Sequence, residues 1–298
     1  MTEVMAKSIR VSPPAKINLH LRVGPPTPDG FHPLMSWMVT VGLFDNLEFV
    51  PISRPGVFLE CDDPGIPCDA SNLIVKTATA LLESVKENEP GVTGLRAALQ
   101  KRIPVGAGLG GGSSDGAFAL LAMNELLKLN WSRGRLAELA AKFGSDLSFF
   151  FHGPSSICTG RGEIVNPTPP PKLRWAILIL PKIHMATPAV YRRFDEMKMG
   201  QANALASVPD WRQWATLAAA EILPLLINDL EAPAFSLNPA LAELHIRATQ
   251  SLGRIVRMSG SGSTLFTLYD SEAEAIQAAS HIQDQLQTRA LPVQLCPA

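Results

Sequence analysis

The sequence predicts an α+β protein of two domains, and three features of the chain indicate this class. Side chains over residues 16–23 alternate between polar and apolar, which is the period of a β-strand. Residues 104–115 read PVGAGLGGGSSD and stand between a predicted strand and a predicted helix. Beyond the proline-rich stretch at 167–172, strands and helices are predicted in an order close to β-α-β-β-α-β, as in a ferredoxin-like domain. We therefore expect one domain over 1–166 and a second over 173–298.

The first domain is expected to begin with the strand that ends at Val23. Its apolar side chains share one face, and the other face carries Lys16, Asn18, His20 and Arg22. Two or three strands should follow over 35–60, with turns at Asp45-Asn46 and 54–56, and another strand near 93–101. The apolar periodicity predicts three helices in this domain, over 73–88, 116–129 and 131–144. Asn72 is the expected N-cap of the first, and the third has Ser132 as its expected cap and Gly144 as its expected end.

The second domain is expected to alternate strands with helices. Thr187 and Pro188 form a typical helix start, with a cap residue followed by proline. Ser271 and Glu274 form a capping box. The predicted strands are 174–180, 254–258, 264–269 and 292–296. One predicted helix begins at Thr187 and another lies near 217–228. A third covers 239–252, with Asn238 and Pro239 at its start and Gly253 at its end, and the last runs from Ser271 to about 288.

Composition and charge exclude several classes of protein. With 46% hydrophobic and 18% charged residues the chain can bury a core, and its formal net charge of −1 gives no support for binding nucleic acid or an anionic membrane. The apolar run WAILIL is too short to span a bilayer, and the N-terminus has no apolar core of signal-peptide length, so we expect a cytoplasmic protein. The cysteines lack CxxC spacing and no HExxH motif occurs, so neither a zinc site nor a disulfide framework is indicated.

The glycine run indicates a site for phosphate groups. A glycine loop that opens a helix offers unpaired N–H groups and the positive end of the helix dipole to an anion. Gly106, Gly108 and Gly111 match a dinucleotide-binding GxGxxG pattern, but the helix predicted after them is followed by another helix rather than by a strand. No Gly-Lys-Ser/Thr follows, which excludes a Walker A loop, and the protein-kinase signatures are missing. The remaining alternative is a flexible linker. It is disfavoured because the glycine run lies between a strand and an amphipathic helix.

The motif PVGAGLGGGSSD resembles the phosphate-binding signature of the GHMP kinases. Further segments narrow the resemblance and follow in the expected order along almost the whole chain: PAKINLHL (14–21), DGFH (29–32), NLI (72–74), GSDLSFF (144–150), NDLE (228–231) and SGSGSTLF (259–266). The resemblance implies a two-domain GHMP kinase fold, with an N-terminal ribosomal-protein-S5-like α/β domain that binds ATP, a C-terminal ferredoxin-like domain, and the active site in the cleft between them. PAKINL followed by DGFH resembles one branch of the family, and this resemblance implies phosphorylation of the 2-hydroxyl of 4-diphosphocytidyl-2-C-methyl-D-erythritol with ATP and Mg²⁺, in the non-mevalonate route to isoprenoids.

The same resemblance implies roles for individual residues. Asp146 is implied to be the general base and Lys16 the catalytic cation that keeps it ionised, whereas the residues alone favour a helix cap and a solvated lysine. The residues implied to bind substrate are Asp146 again and Asn18, Phe31, His32 and Thr187. Among these, Phe31 and His32 belong to the segment that clasps a cytosine ring.

The implied ATP site covers the whole glycine motif. Its residues are Pro104, Val105, Gly106, Ala107, Gly108, Leu109, Gly110, Gly111, Gly112, Ser113 and Ser114. Each of the two serines could contact phosphate, contact Mg²⁺ or cap the helix, so no metal ligand is assigned.

Three positions depart from the family pattern. Phe31 stands where Tyr is usual, Ser148 where Pro follows the catalytic Asp, and Gly116 where Ala opens the helix. The rival interpretations are another small-molecule GHMP kinase, of the homoserine or mevalonate type, and a non-catalytic ligand-binding member of the fold. The DGFH segment argues against the first, and the presence of both Lys16 and Asp146 argues against the second. The expected partner is a small molecule with a cytidine diphosphate group, bound by a monomer or homodimer.

Overall fold

The computed structural model describes residues 8–86, 94–172, 174–201 and 203–297. Contacts divide the chain into two compact units. The first unit contains the described residues among 1–15, 43–103 and 111–151, and the second contains those among 16–42, 104–110 and 152–298. Neither unit is one continuous stretch of the chain. The predicted domains over 1–166 and 173–298 therefore stay a prediction.

Strands and helices are both abundant, which agrees with the predicted α+β class. The strands of the described residues are β1 (Ile9–Val11), β2 (Pro14–Val23), β3 (Leu34–Phe44), β4 (Asn46–Ile52), β5 (Gly56–Cys61), β6 (Gly94–Gln100), β7 (Ser155–Gly160), β8 (Ile164–Pro167), β9 (Trp175–Leu180), β10 (Arg257–Met258), β11 (Leu265–Tyr269) and β12 (Arg289–Gln294). The helices are α1 (Leu73–Lys86), α2 (Gly111–Leu126), α3 (Arg133–Ala140), α4 (Thr187–Glu196), α5 (Trp211–Trp214), α6 (Ala219–Ile222), α7 (Glu231–Leu237), α8 (Pro239–Leu252) and α9 (Glu272–Leu286). Two short 3₁₀ helices cover Ser145–Phe151 and Leu223–Leu225.

The first unit packs helices against one four-stranded sheet. Its strand order is β1-β4-β6-β5, and neighbours are antiparallel except for the parallel pair of β5 and β6. Apolar side chains from the strands meet those of α1 and α2 in one core, which includes Leu47, Phe49, Ile74, Ala97 and Ala119. Burial of this apolar surface stabilises the unit and fixes α2 against the sheet.

The second unit contains most of a sheet with the order β2-β3-β7-β8 and all of a sheet with the order β10-β11-β9-β12. In the latter every neighbouring pair is antiparallel, and β9 lies between β11 and β12. This is the arrangement expected of a ferredoxin-like β-α-β-β-α-β unit. Its core includes Ile177, Ile179, Phe194, Leu265 and Ile282.

Four predicted helix caps were confirmed, whereas Thr187, also predicted as a cap, is the first helical residue of α4. Asn72 accepts a hydrogen bond from the Ile74 N–H, and Ser132 caps α3 through the Arg135 N–H. Asn238 caps α8, which ends at the left-handed Gly253. Ser271 accepts from the Glu274 N–H at the start of α9, which is one of the two hydrogen bonds of the predicted capping box. Short polar side chains satisfy the free N–H groups of a first turn, and that chemistry is local in sequence.

Several predicted boundaries were wrong. The helix predicted over 116–129 begins at Gly111 and ends at Leu126, and the third helix stops at Ala140 rather than at Gly144. The helix near 217–228 is reduced to α6 and a 3₁₀ turn, because Pro224 cannot continue an α-helix. Helix α7 was not predicted.

Other boundaries differ by a few residues. Strand β10 covers only the end of the predicted 254–258, and β12 begins at Arg289 rather than at 292. The ends of the helix predicted to 88 and of the strand predicted from 93 lie outside the described residues.

Candidate active site

The glycine motif divides into a loop over 104–110 and the first turn of α2, which starts at Gly111. Gly106, Gly108 and Gly110 have φ angles of 65°, 76° and 65°. These left-handed conformations are open to glycine at little cost and strained for other residues. The alternating glycines therefore give the loop its shape.

The surroundings of these glycines leave no room for side chains. A Cβ atom at Gly108 would lie 2.1 Å from the carbonyl oxygen of Ser259, and one at Gly106 would lie 2.2 Å from the imidazole of His184. A Cβ at Gly110 would lie 2.9 Å from Cγ and Cε of Lys16. The loop backbone thus packs directly on the Lys16 side chain and on a second loop that contains Ser259.

The second loop, residues 259–263, is tied to the glycine loop by hydrogen bonds. Ser259 Oγ donates to the Gly108 carbonyl at 2.8 Å, and the Thr264 N–H donates to the Ala107 carbonyl at 3.0 Å. The Ser259 hydroxyl also accepts from the Asn18 N–H at 3.2 Å. Strand β2 and both loops therefore form one connected structure in the second unit.

Lys16 lies at the centre of this structure and is 4% exposed. Its N–H donates to the Leu109 carbonyl at 2.9 Å, and Nζ donates to Asn18 Oδ1 at 2.7 Å. Asn18 Nδ2 donates to Ser36 Oγ at 2.8 Å, and that hydroxyl donates to the His20 carbonyl at 2.9 Å. The polar face of β2 is thus buried and hydrogen-bonded, where the residues alone favoured a solvated lysine.

His20 continues the buried polar face of β2. Its Nδ1 accepts from the Ile227 N–H at 3.2 Å, and its ring makes edge contacts with Trp211 and Trp214. Burial, with a smaller contribution from the charges of Arg22 and Arg257, lowers the pKa of His20 to about 4. The imidazole is therefore neutral at physiological pH.

The first unit holds the other part of the predicted site. Gly111, Gly112, Ser113 and Ser114 form the start of α2, and Asp146 lies in the first turn of the 3₁₀ helix Ser145–Phe151. Among the described residues, the fully buried Ser114 Oγ has no hydrogen-bond partner. Ser148, which departs from the family pattern, is buried in the same 3₁₀ helix.

Gly116, the third departure from the family pattern, lies at a close contact between helices. A Cβ there would lie 3.2 Å from Leu73 Cβ of α1 and 3.3 Å from Leu147 Cδ2. Thr77 Oγ1 also donates to the Gly116 carbonyl at 3.1 Å. The small residue lets α2 pack closely against α1 and against the residue that follows Asp146.

Phe31 and His32 occupy different environments. The Phe31 ring is 53% exposed, and the guanidinium of Arg161 lies 3.8 Å from its centre. The buried His32 bonds through Nδ1 to the Gly24 carbonyl at 2.9 Å, and its Nε2 lies 3.4 Å from Asp195 of α4. Tyr191 of the same helix lies beside the His32 ring.

Thr187 is the first residue of α4 rather than its cap, which is Ala186. Its hydroxyl shares a hydrogen bond of 2.8 Å with Ser261 Oγ of the second loop. Ser263 Oγ donates to the Ile183 carbonyl at 2.5 Å, and the Met185 N–H donates to the Gly106 carbonyl at 3.3 Å. The segment that leads into α4 is thereby fixed to both loops.

Some residues that shape this region were not identified from the sequence. Ser259 was noticed only as part of a glycine-serine loop, and Arg161 was not noticed at all. Asn228 appeared only as part of the NDLE segment, and its Nδ2 donates to the carbonyls of Met258 and Gly260 at 2.7 Å and 2.8 Å. Their partners lie far away in the sequence, so no local pattern indicates them.

Comparisons with known proteins identify the class. Residues 72–154 match the family model described as GHMP kinases N terminal domain, and residues 204–288 match the one described as GHMP kinases C terminal. A homoserine kinase from Cytophaga hutchinsonii superposes with a TM-score of 0.73 at 18% identity, over 99% of this chain and 96% of that one, which shows the fold alone. The chain is a small-molecule kinase with the GHMP kinase fold, as the sequence predicted.

Closer relatives define the branch. A protein from Synechococcus sp. (strain CC9902) named 4-diphosphocytidyl-2-C-methyl-D-erythritol kinase is 36% identical over 298 residues, which cover 97% of this chain and 96% of the relative. The crystal structure of a 4-(cytidine 5'-diphospho)-2C-methyl-D-erythritol kinase superposes with a TM-score of 0.78 at 33% identity, over 97% of this chain and all of that one. The chain belongs to the 4-diphosphocytidyl-2-C-methyl-D-erythritol kinase family.

No helix among the described residues is long and apolar enough to cross a membrane.

Proposed function

We propose that the chain transfers the γ-phosphoryl group of ATP to the 2-hydroxyl of 4-diphosphocytidyl-2-C-methyl-D-erythritol, in the non-mevalonate route to isopentenyl diphosphate. The observation that carries the proposal is the position of Lys16. This ammonium group is buried, lies against Gly110 of the glycine loop, and is oriented by Asn18. Phosphoryl transfer depends mainly on such positioned cations and donors, because the transition state spreads negative charge over the transferred group.

The ATP phosphates would bind the backbone N–H groups of the loop 104–110 and the first turn of α2. Both the left-handed glycines and the unpaired N–H groups of a helix start favour an anion there. In protein kinases and other phosphotransferases, Mg²⁺ neutralises charge on the β- and γ-phosphates when bound. The buried Ser114 hydroxyl, which has no partner among the described residues, fits such an ion or a phosphate oxygen, and Ser113 precedes it in the same helical turn.

The acceptor would be recognised by its cytidine group. Phe31 offers an exposed ring face for stacking, and the buried His32, whose ring nitrogens face Gly24 and Asp195, would hold the segment that carries this ring. Asn18 and Thr187 are the further residues that we propose to contact this substrate. Phe31 lacks the hydroxyl of the usual Tyr, so stacking rather than a polar contact would dominate at this position.

Asp146 would act as the general base in the transfer step. Its carboxylate accepts the proton of the substrate 2-hydroxyl while the oxygen forms a bond to the γ-phosphorus. The bond between the γ-phosphorus and the bridging oxygen breaks, and ADP leaves with that electron pair. Lys16 would stabilise the charge on the phosphoryl oxygens during the transfer.

The proposal is tested by an assay of ADP release with three acceptors in parallel: the cytidyl diphosphate substrate, homoserine and mevalonate. We expect ATP- and Mg²⁺-dependent turnover with the first and none above background with the other two. Turnover of homoserine or mevalonate without turnover of the first would reject the proposed acceptor. ATP binding without turnover of any acceptor would favour a non-catalytic member of the fold.

Two further expectations, the cellular location and the oligomeric state, do not depend on the site. We also propose a cytoplasmic location and either a monomer or a homodimer. Fractionation of the native host and light scattering of the purified chain test these expectations directly.

A further inference from the structure

Below the first turn of α2 lies a buried group of three charged side chains, which we call the charge triad: Asp45, Lys101 and Asp115. Lys101 Nζ donates to Asp45 Oδ2 and to Asp115 Oδ2, each at 2.6 Å. The three side chains are at most 5% exposed. Nothing in the proposed transfer step uses them.

The charge triad joins α2 to the end of the sheet in the first unit. Asp45 Oδ1 accepts from the N–H groups of Arg102 and Ile103 at 2.5 Å and 2.9 Å, so the segment after β6 is fixed to the β3–β4 turn. Asp115 belongs to α2 itself. Lys101 is therefore the link between that segment and the helix.

The contact with the helix start is close. A Cβ atom at Gly111, the first residue of α2, would lie 3.1 Å from Lys101 Nζ and 2.8 Å from Ile103 Cγ2. The helix backbone thus rests on Lys101 and Ile103 at the turn whose N–H groups are free for an anion. A shift of Lys101 would move that turn.

Stability alone gives a poor reason for this arrangement. Burial of charge is costly, and two carboxylates that share one ammonium repel each other. Burial and the charge of Asp45 raise the pKa of Asp115 against the opposing effect of Lys101, and Asp115 Oδ1 has no hydrogen-bond partner among the described residues. Apolar residues of similar volume often replace such groups without loss of stability.

We propose that the charge triad positions the nucleotide site: through Asp115, Lys101 holds the first turn of α2 in the place where its N–H groups meet the ATP phosphates. The inference rests on the proposed function in that α2 is taken as the phosphate-binding helix. Asp45, Lys101 and Asp115 act through the backbone and are positioning residues.

The test separates positioning from electrostatics, because the two predict opposite effects for one substitution. Asp115→Leu removes the link to Lys101 and also removes a negative charge near an anion site. Positioning predicts that the Kd for ADP, measured by calorimetry, rises roughly tenfold or more, since small misplacements of a binding group are costly. Electrostatics alone predicts an unchanged or tighter complex.

A conservative variant and a control complete the design. Asp115→Asn keeps an acceptor for Lys101, and we expect its Kd for ADP to stay within about threefold of the wild type. Glu60→Leu removes an exposed carboxylate of the same unit, which pairs with Arg96 at 3.9 Å, and should leave ADP binding unchanged. If Asp115→Leu does not fold, Asp115→Ala is measured instead, because alanine fits the space and favours the helix.

Failure of the positioning role can be distinguished from failure of the proposed function. Unchanged or tighter ADP binding by folded Asp115→Leu or Asp115→Ala would overturn the positioning role. ADP binding is measured without an acceptor, so a wild type that binds ADP but does not phosphorylate the cytidyl diphosphate substrate would reject the proposed function alone. In steady state the acceptor KM should not change in Asp115→Leu, while the KM for ATP rises.

Discussion

Lys16 and Asp146 are the two residues on which the proposed chemistry depends. Lys16 is held by its own backbone, by Asn18 and by the covering Gly110, so its ammonium has little freedom. A group whose position is fixed before the reaction stabilises a transition state without the cost of reorganisation. Asp146 lies at the start of a 3₁₀ helix, where its backbone is fixed by the buried residues that follow it.

Asp146→Asn tests the role of the base. The amide keeps the shape of the side chain but cannot accept the substrate proton, so kcat should fall roughly 10²- to 10⁴-fold. The Kd for ATP should stay near that of the wild type. Near-normal turnover of Asp146→Asn would remove this residue as the base.

Gly108→Ala tests the shape of the glycine loop. The new Cβ would meet the Ser259 carbonyl at 2.1 Å, and the φ of 76° would cost about 1–3 kcal/mol for a residue other than glycine. We expect lower stability in denaturant and weaker ATP binding. The matched control for stability is Gly112→Ala, whose Cβ would meet only Leu73 Cδ1, at 3.9 Å, among the described residues. Equal stability of the two variants would contradict this account of the loop.

At the scale of elements, Asn228 joins the segment that precedes α7 to the end of β10 and to the second loop. Because its amide donates to two buried carbonyls, Asn228→Leu would leave both without a partner, at a cost of about 2–3 kcal/mol. The loop that contacts Gly108 would loosen, so the KM for ATP should also rise.

A second asparagine serves as the control for this substitution. Asn238→Ala removes a helix cap of α8 and should cost about 1 kcal/mol of unfolding free energy. Its KM for ATP should not change, because α8 makes no proposed contact with the nucleotide. A rise in KM for both variants would indicate general loss of stability rather than a specific effect of Asn228.

Sequence reasoning identified elements better than it identified their surroundings. The alternation of β2 indicated two faces correctly, but it could not show that Ser36 and the glycine loop cover the polar face. The helix start at Gly111 was missed because glycines have low helix propensity, and it is contact with Lys101 and Ile103 that supports this turn. The site residues that we propose come from motifs, whereas Ser259, Arg161 and the charge triad depend on contacts between distant segments.

At the scale of the whole molecule, His20 should limit stability in acid. Its pKa is about 4 in the folded chain and near 6.5 when unfolded, so the unfolded state binds the proton more tightly. The stability that the neutral ring contributes is complete above pH 6.5 and is lost as the pH falls through about 4. The loss amounts to roughly 3 kcal/mol.

His20→Asn provides the comparison. The Asn oxygen can accept from the Ile227 N–H in place of the ring nitrogen, but the side chain does not titrate in this range. Denaturant unfolding between pH 7 and pH 4 should show a smaller loss of stability for His20→Asn than for the wild type. Parallel pH profiles for the two proteins would assign the acid sensitivity to other groups.

The central claim concerns where the phosphoryl group goes, and phosphorus NMR of the reaction products measures it directly. With ATP, Mg²⁺ and 4-diphosphocytidyl-2-C-methyl-D-erythritol, we expect a new phosphomonoester signal. Its phosphate should be attached to the oxygen of the former 2-hydroxyl. The diphosphate signals of the acceptor should remain and ADP should appear in equal amount. A phosphomonoester at another position, or ADP formed with inorganic phosphate alone, would contradict the account.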